Sequence, residues 1–211
     1  MSTDITGISD KKADAVKALA EFGATVVTEG SNLARYFGRI VGTVPEDLVG
    51  VALGDPLRFV RTAIAARYDE KLNEIFQRRG ITATQPVSPS IAIPLVRAAY
   101  DEGRPELQEL WAQLIAAAMD PKRSDRVRIS FIETLRKFDP LDALVLKYRC
   151  QHPESLGPNA AEYIAKVLDV PFEEILISVD NLIALRCVWE NNREAVAVLP
   201  YGRALMRACS D

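Results

Sequence analysis

A change of hydrophobic period near the carboxyl end most constrains what this chain can fold into. Between residues 139 and 183, apolar residues recur three and four positions apart, which predicts a series of α-helices. Residues 187–190 and 195–199 are strand-like and flank Asn191-Asn192-Arg193-Glu194, which predicts a β-hairpin. Helical spacing then returns over residues 200–209. Three helices, a hairpin and a closing helix are the order of a winged helix-turn-helix with a small β-wing.

Each of the three predicted helices has a candidate inner face. The Asp139-Pro140 pair supplies an N-cap and a first-turn proline for the first helix. The turn before the third helix falls at residues 169–171, and the third helix has the most regular apolar stripe. The predicted inner faces are Leu141, Leu144, Val145 and Tyr148; then Ala160, Ala161, Ile164, Val167 and Leu168; then Phe172, Ile175, Leu176, Val179, Leu182 and Ile183.

The third helix has the wrong charge for reading DNA. A helix in the major groove presents Arg, Lys, Asn or Gln from its solvent side, within a basic field. Residues 139–211 instead contain 7 basic and 11 acidic residues, a net charge of −4. We therefore favour a packing or protein-contact role for this module over DNA binding. The residues expected on the solvent side are Glu173, Glu174, Ser178, Asp180 and Asn181, with Arg186 at the end of the helix.

The rest of the chain also predicts helices, so the fold class is mainly α. We divide it into an N-terminal helical region (1–80), a central helical hairpin region (81–138) and the winged-helix-like module (139–211). A long helix is predicted from Asp55-Pro56 to a C-terminal Gly80, followed by a linker or crossing loop over 81–89. The hairpin has arms at 94–100 and 105–120, and a further helix is predicted over about 124–138.

One basic cluster is a candidate for contacting phosphates. It has six basic residues within sixteen positions, and Arg193 of the predicted wing could join it in a nucleic-acid contact. We favour the simpler interpretation, a solvated helix beside the acidic module. The cluster consists of Lys122, Arg123, Arg126, Arg128, Arg136 and Lys137.

Two features are candidates for packing or self-association. Gly38 and Gly42, and then Gly50 and Gly54, stand four residues apart, a spacing that allows close helix contact and also occurs in membranes. Charged residues interrupt residues 36–54, so we favour tight packing over a membrane contact and predict no transmembrane segment. Trp111 on the second hairpin arm is the other candidate contact residue.

The inventory of reactive residues argues against an enzyme. His152 is the single histidine of the 211 residues, and Cys150 beside it gives at most half of a metal site. Phosphate-loop, dinucleotide-binding and nucleophile-elbow motifs are absent from the sequence. We therefore predict no catalytic residues, no metal and no cofactor. Three widely spaced cysteines and a polar start without an export signal favour a cytoplasmic protein.

Several strings resemble the abortive-infection alpha family. They are residues 94–102 (PLVRAAYDE), 106–118 (ELQELWAQLIAAA), 131–135 (FIETL), 139–143 (DPLDA), 181–185 (NLIAL) and 201–205 (YGRAL). The resemblance covers about residues 30–211. It implies a bacterial cytoplasmic protein associated with phage defence, in which the infected cell stops growing or dies before the phage multiplies. It supplies no catalytic residues and no biochemical mechanism.

Together these observations predict a non-enzymatic protein that acts in phage defence through protein–protein contacts, including self-association. The alternative is a winged-helix transcription regulator that uses the basic cluster and Arg193. A membrane-active effector that uses residues 36–54 is a third interpretation.

Overall fold

A computed structural model describes residues 58–153, 159–191 and 195–210. This part of the chain is mainly helical, with eight α-helices and one two-stranded antiparallel sheet. The glycine-spaced residues Gly38, Gly42, Gly50 and Gly54 lie outside it. The elements are α1 (Arg58–Arg79), α2 (Pro89–Asp101), α3 (Pro105–Met119), α4 (Ile129–Leu135), α5 (Pro140–Gln151), α6 (Ala160–Leu168), α7 (Phe172–Ala184), β1 (Val188–Asn191), β2 (Ala195–Val198) and α8 (Pro200–Ala208).

Helix α1 ends where the sequence predicts. Gly80 follows it with a φ of +62°, a left-handed conformation that glycine adopts without strain. Residues 81–88 have no regular secondary structure and cross to α3, where the Gln85 amide donates to the Met119 carbonyl at 2.9 Å. Residues 81–89 were expected to form a linker or a crossing loop, and 81–88 form a crossing loop that packs against the core.

The first hairpin arm begins earlier than predicted. Helix α2 starts at Pro89 rather than at Pro94, which lies inside it. Proline in a helix interior removes one hydrogen bond and costs about 3 kcal/mol. Burial of Ala92, Leu95 and Val96 across this position offsets that cost, because all three pack into the core only if the helix continues.

Helix α3 is the central element of the core. It was expected to bury one face, but twelve of its fifteen residues are buried, including Gln108 and Gln113. Helices α1, α2 and α5, the residue 124–126 turn and α8 all contact it. Apart from Glu106 and Glu109, its sequence is uncharged and rich in Ala, Leu and Gln, which suits a helix that meets protein on nearly every side.

The helix predicted over about 124–138 is wrong in its first half. Residues 124–126 form a single 3-10 turn, Val127 and Arg128 are extended, and α4 covers only Ile129–Leu135. Val127 is 8% exposed, so its burial accompanies the extended backbone that interrupts the helix. The expected inner residues Phe131, Ile132 and Leu135 are buried as predicted.

Helix α5 begins at the predicted cap, and of its predicted inner residues Val145 is buried and Leu141 and Tyr148 pack against the core. The Asp139 amide donates to Asp142 Oδ2 at 2.7 Å, which is part of a capping box. Leu144, predicted to face the core, is exposed, whereas Asp142 and Arg149 are buried. These two polar residues find hydrogen-bond partners inside the protein, and a hydrophobic pattern cannot reveal that.

The C-terminal module follows the predicted order of elements. Strands β1 and β2 pair in antiparallel register, with Val188 opposite Val198 and Asn191 opposite Ala195. In α6, Ala160, Ala161 and Ile164 are buried as expected, but Val167 is exposed. Helix α7 packs against α5, α6 and β1.

Helix α8 closes the molecule. A Cβ atom on Gly202 would lie 2.3 Å from the Cys187 carbonyl oxygen, so glycine allows this helix to approach the start of β1. Tyr201 donates to the Ser130 carbonyl at 2.8 Å and stacks edge-on against Phe131, which ties α8 to α4. One cluster of buried residues extends from Tyr68 to Cys209.

The last described residue is bound to the first described helix. Arg79 Nη2 and Arg123 Nη1 donate to the Ser210 carbonyl at 2.7 and 2.8 Å. Arg79 also donates to Gln113 of α3. Two charged donors therefore hold one backbone oxygen at the junction of α1, α3 and the end of α8.

Candidate contact surfaces

The polar residues of α7 that could contact bases face inward. Ser178 Oγ donates to Asp142 Oδ1 at 2.7 Å, and Asn181 Nδ2 donates to Asp142 Oδ2 at 2.6 Å. Ser178 is 3% exposed. The expectation of a solvent-side position was therefore wrong for Ser178, whereas Asn181 is half-buried, because the buried Asp142 carboxylate accepts hydrogen bonds from both.

The solvent side of α7 combines acidic and apolar residues. Glu173, Ile177 and Asp180 lie at positions i, i+4 and i+7, which places them on one side of the helix, and all three are exposed. Ile177 is 64% exposed, a high value for a large aliphatic side chain. Glu174 is also exposed. This outer side offers no positive charge to a phosphate.

Helix α6 also exposes apolar and acidic side chains. Its Tyr163 and Val167 are 54% and 46% exposed, and residues 160–184 carry five acidic residues and one basic residue, a net charge of −4. Lys166, Ala184 and Ile183, which was predicted to face inward, are exposed as well. We call a set of exposed acidic and apolar residues of α6 and α7 the acidic-apolar surface. Its members are Glu162, Tyr163, Val167, Glu173, Glu174, Ile177 and Asp180.

The six residues of the predicted basic cluster do not share one environment. Arg123 is half-buried, holds the Ser210 carbonyl and lies 3.8 Å from Asp120, so it has a structural role. The other five are exposed, whereas Arg193 lies outside the described residues. We call residues 122–137 the basic segment. Its exposed basic residues are Lys122, Arg126, Arg128, Arg136 and Lys137.

Helix α7, which carries part of the acidic-apolar surface, is hydrogen-bonded to the basic segment. Asn181 Nδ2 of α7 donates to the Lys137 carbonyl at 3.1 Å, which joins the end of α7 to the end of the segment. The ion pairs in the described part of the chain include Lys71 with Glu109, Arg104 with Glu102 and Asp139, and Arg123 with Asp120. None of these uses an exposed charge of either surface.

Trp111, predicted as a packing or contact residue, lies in the core. It is 1% exposed, so it packs inside the protein and presents no face to a second molecule. Its indole lies beside Glu102. Burial raises the pKa of Tyr68 in α1, and the negative charge of Glu102 adds to this effect. The periodicity of the hairpin predicts that Trp111 faces inward, but it does not predict that the Glu102 carboxylate lies beside the indole.

Glu102 is a buried carboxylate that the sequence analysis missed. Burial raises its pKa, but hydrogen bonds from the Arg104 side chain and amide outweigh this effect, so the pKa is lowered. Arg104 donates to Glu102 Oε1 through Nε at 2.9 Å and to Asp139 Oδ1 through Nη1 at 2.9 Å. The arginine therefore links the C-cap of α2 to the N-cap of α5. Adjacent charges at 101–102 gave no signal of this role.

Arg149 is a second buried charge that the sequence analysis missed. It is 1% exposed, and its Nε and Nη1 donate to the carbonyls of Val196 and His152 at 2.9 and 2.8 Å. It therefore fastens α5 to β2 and to its own C-terminal end. A guanidinium with five donors fits such a position between backbone oxygens.

The Cys150–His152 pair has a structural setting. His152 caps the end of α5, and its ring stacks on Tyr148 with 4.6 Å between centroids. Burial raises the pKa of Cys150, and it raises the pKa of both Cys187 and Cys209 to about 12. Thiols with raised pKa values are poor nucleophiles at neutral pH. Among the described residues, no group of three or more His, Cys, Asp or Glu residues could hold a metal ion.

None of the described helices combines the length and apolar character needed to cross a membrane. No curated protein and no solved structure matches the chain significantly. The family model described as abortive infection alpha matches residues 60–209, which is more than half of the chain and includes α1 almost entirely, the central hairpin and the C-terminal module. The chain therefore belongs to the abortive infection alpha family.

Proposed function

We propose that this protein acts without catalysis in a phage-defence response of the abortive-infection type, and that it does so through protein contacts. In this proposal the C-terminal module is a winged helix in a cytoplasmic protein, and the acidic-apolar surface is its contact face. Family membership supports the association with abortive infection.

The observation that carries the proposal is the division of α7 into two sides. Its base-reading candidates Ser178 and Asn181 are engaged by Asp142, which leaves Glu173, Ile177 and Asp180 toward solvent. An exposed aliphatic residue between two carboxylates disfavours a polyanion but suits a protein partner with apolar and basic groups.

A phage challenge tests this proposal. Cells of a phage-susceptible bacterial host would produce either the wild type or Ile177→Lys, and plaque formation and survival of infected cells would be counted. We expect the wild type to reduce phage yield and Ile177→Lys to lose most of that reduction. The matched control Asp101→Lys changes an exposed residue at the end of α2 and should protect as the wild type does.

The proposal is overturned if Ile177→Lys protects as well as the wild type at equal cellular concentration. Circular dichroism of the purified variant must show an intact fold, because loss of folding would also remove protection.

The second candidate is a winged-helix regulator that contacts DNA phosphates through the basic segment. The five exposed basic residues of that segment favour it. Fluorescence anisotropy with a mixed-sequence duplex across a salt series separates the two candidates. Binding that weakens steeply with salt and is lost in Arg126→Glu/Arg128→Glu would support the regulator, whereas no binding at low salt would exclude it.

A further inference from the structure

The acidic-apolar surface and the basic segment have opposite charges. Residues 160–184 carry a net charge of −4, and residues 122–137 carry six basic and two acidic residues, a net charge of +4. Each also exposes large apolar side chains, Ile177 on α7 and Ile129 at the start of α4, which is 44% exposed. The two surfaces are therefore complementary in charge, and each has apolar area that an interface could bury.

Within the part of the chain that the structure describes, the opposite charges of the two surfaces do not pair with each other. The Asn181–Lys137 hydrogen bond joins α7 to the basic segment, yet none of the ion pairs described above uses an exposed charge of either surface. A second molecule related by a two-fold axis can pair these charges. Its basic segment then lies on the acidic-apolar surface of the first molecule, and its acidic-apolar surface lies on the basic segment of the first molecule.

We propose that the protein forms a two-fold symmetric dimer in which the outer side of α7 from each copy lies on the basic segment of the other copy. This inference deepens the protein-contact function proposed above and rests on it. The partner of the acidic-apolar surface is then a second copy of this chain.

Within this chain, the basic segment fits that surface better than residues 1–57 do. Residues 1–57 contain eight acidic and five basic residues, so their net charge of −3 has the same sign as that of residues 160–184. The basic segment has the opposite sign and is exposed. Like charges brought together across an interface oppose binding, whereas opposite charges favour it.

Sedimentation velocity of the full chain over protein concentrations from about 1 to about 500 μM measures the dimer dissociation constant. We expect a monomer–dimer equilibrium that weakens by about tenfold or more between low and high salt, since the contacts are charged and partly exposed. A species that stays monomeric throughout this range would overturn the proposal.

Charge-reversal variants test which surfaces meet. Glu173→Lys/Asp180→Lys reverses the outer side of α7, and Arg126→Glu/Arg128→Glu reverses the basic segment. Each variant alone should weaken dimerisation about tenfold or more, because both contacts of its dimer then oppose like charges. The exposed pair Asp101→Lys/Glu106→Lys on the central hairpin is the control and should leave dimerisation unchanged.

Mixing the two reversed variants gives the sharpest result. In the mixed dimer, both contacts again join opposite charges, so equimolar mixing should restore association to near the wild-type strength. The four substitutions combined in one chain should also restore the dimer. Failure of both restorations, with each variant folded by circular dichroism, would overturn the pairing of these surfaces.

The outcome separates this inference from the function on which it rests. If the wild type is monomeric but Ile177→Lys still loses phage protection, the dimer is wrong and the protein-contact function stands with a different partner. If the wild type is a dimer with the expected charge dependence but Ile177→Lys protects fully, the dimer stands and the proposed function fails.

Discussion

Helices α3 and α7 use amphipathic sequences in opposite ways. Helix α3 is buried along almost its whole length, and even its glutamines bond inside the protein, as when Gln108 donates to the Glu102 carbonyl at 2.9 Å. Helix α7 buries one side and exposes an acidic-apolar side that includes Ile177. The comparison teaches that exposure, rather than hydrophobic content, distinguishes a helix that holds the fold from one that can meet a partner.

The largest effect expected from this comparison is the loss of Trp111 from α3. Trp111→Ala removes a buried indole and should lower the free energy of unfolding by about 3–5 kcal/mol, measured by urea denaturation. Trp189→Ala is the matched control, because Trp189 is 53% exposed on β1 and its loss should change stability by about 0.5 kcal/mol or less. Equal losses in the two variants would contradict the central position of α3.

A smaller loss is expected on the inner side of α7. Asp142→Ala removes the acceptor of Ser178, Asn181 and the Asp139 amide, so the free energy of unfolding should fall by about 2–3 kcal/mol in urea denaturation. Asp180→Ala removes an exposed carboxylate of α7 and should be nearly neutral. If the two variants were equally stable, the inner side of α7 would not be fixed by Asp142.

The pH dependence of stability tests the ion pair of Glu102, which lies beside α3. Its folded-state pKa is lowered below the ordinary value of 4.5, so its carboxylate stabilises the fold above that pH and the stabilisation is lost as pH falls through the folded-state value. Glu102→Gln should cost about 1–2 kcal/mol at neutral pH and progressively less in acid. Urea denaturation of both proteins between neutral pH and pH of about 3 measures this.

The control for this series is Glu106→Gln, which changes an exposed residue in the first turn of α3. The free energy of unfolding of this variant should differ little from that of the wild type at each pH. A Glu102→Gln deficit that did not shrink in acid would mean that the ion pair with Arg104 is not its cause.

The smallest effect on stability is expected on the outer side of α7. Ile177→Lys should change the free energy of unfolding by about 0.5 kcal/mol or less, since the side chain is already in solvent. Ile175→Lys, two positions away, places a charge in a fully buried site and should cost about 3 kcal/mol or more, or prevent folding. Equal free energies of unfolding for the two variants would contradict the assignment of a buried and an exposed side to α7.

The sequence predicted most elements because hydrophobic spacing and caps are local. The ends of α1 at Gly80 and of α3 at Asp120, the start of α5 at Asp139, and the hairpin before α8 all follow from residues within a few positions of each boundary. These local signals also placed Phe131 and Leu135 inside. The family resemblance is confirmed over residues 60–209.

The errors have a common physical cause, which is that distant partners decided the outcome. Leu144 is exposed because Asp142 and Arg149 occupy the inner side of α5, where residues of α7 and β2 satisfy their hydrogen bonds. The sequence predicted Ser178 and Asn181 on the solvent side because their hydrogen-bond acceptor, Asp142, belongs to another helix. Such pairs are 36 to 47 residues apart, so spacing within one helix carries no trace of them.

The candidate contact surfaces were predicted in part. The acidic character of α7 and the basic cluster were evident from the sequence, whereas the exposure of Ile177, the structural role of Arg123 and the contact of Asn181 with Lys137 depend on tertiary packing. The use of either surface in self-association or in DNA binding stays a prediction until it is measured.

The hydrogen bond from Arg79 to the Ser210 carbonyl also has a consequence for the folding pathway. It joins residues 131 positions apart, so the unfolded chain must close a very long loop before this contact can form. Because the entropy of loop closure grows slowly with length, the thermodynamic cost is modest, but the search is slow compared with the formation of local helices. We expect the local helices and the α2–α3 hairpin to form first, and the docking of α8 onto α3 with the Arg79–Ser210 hydrogen bond to complete folding.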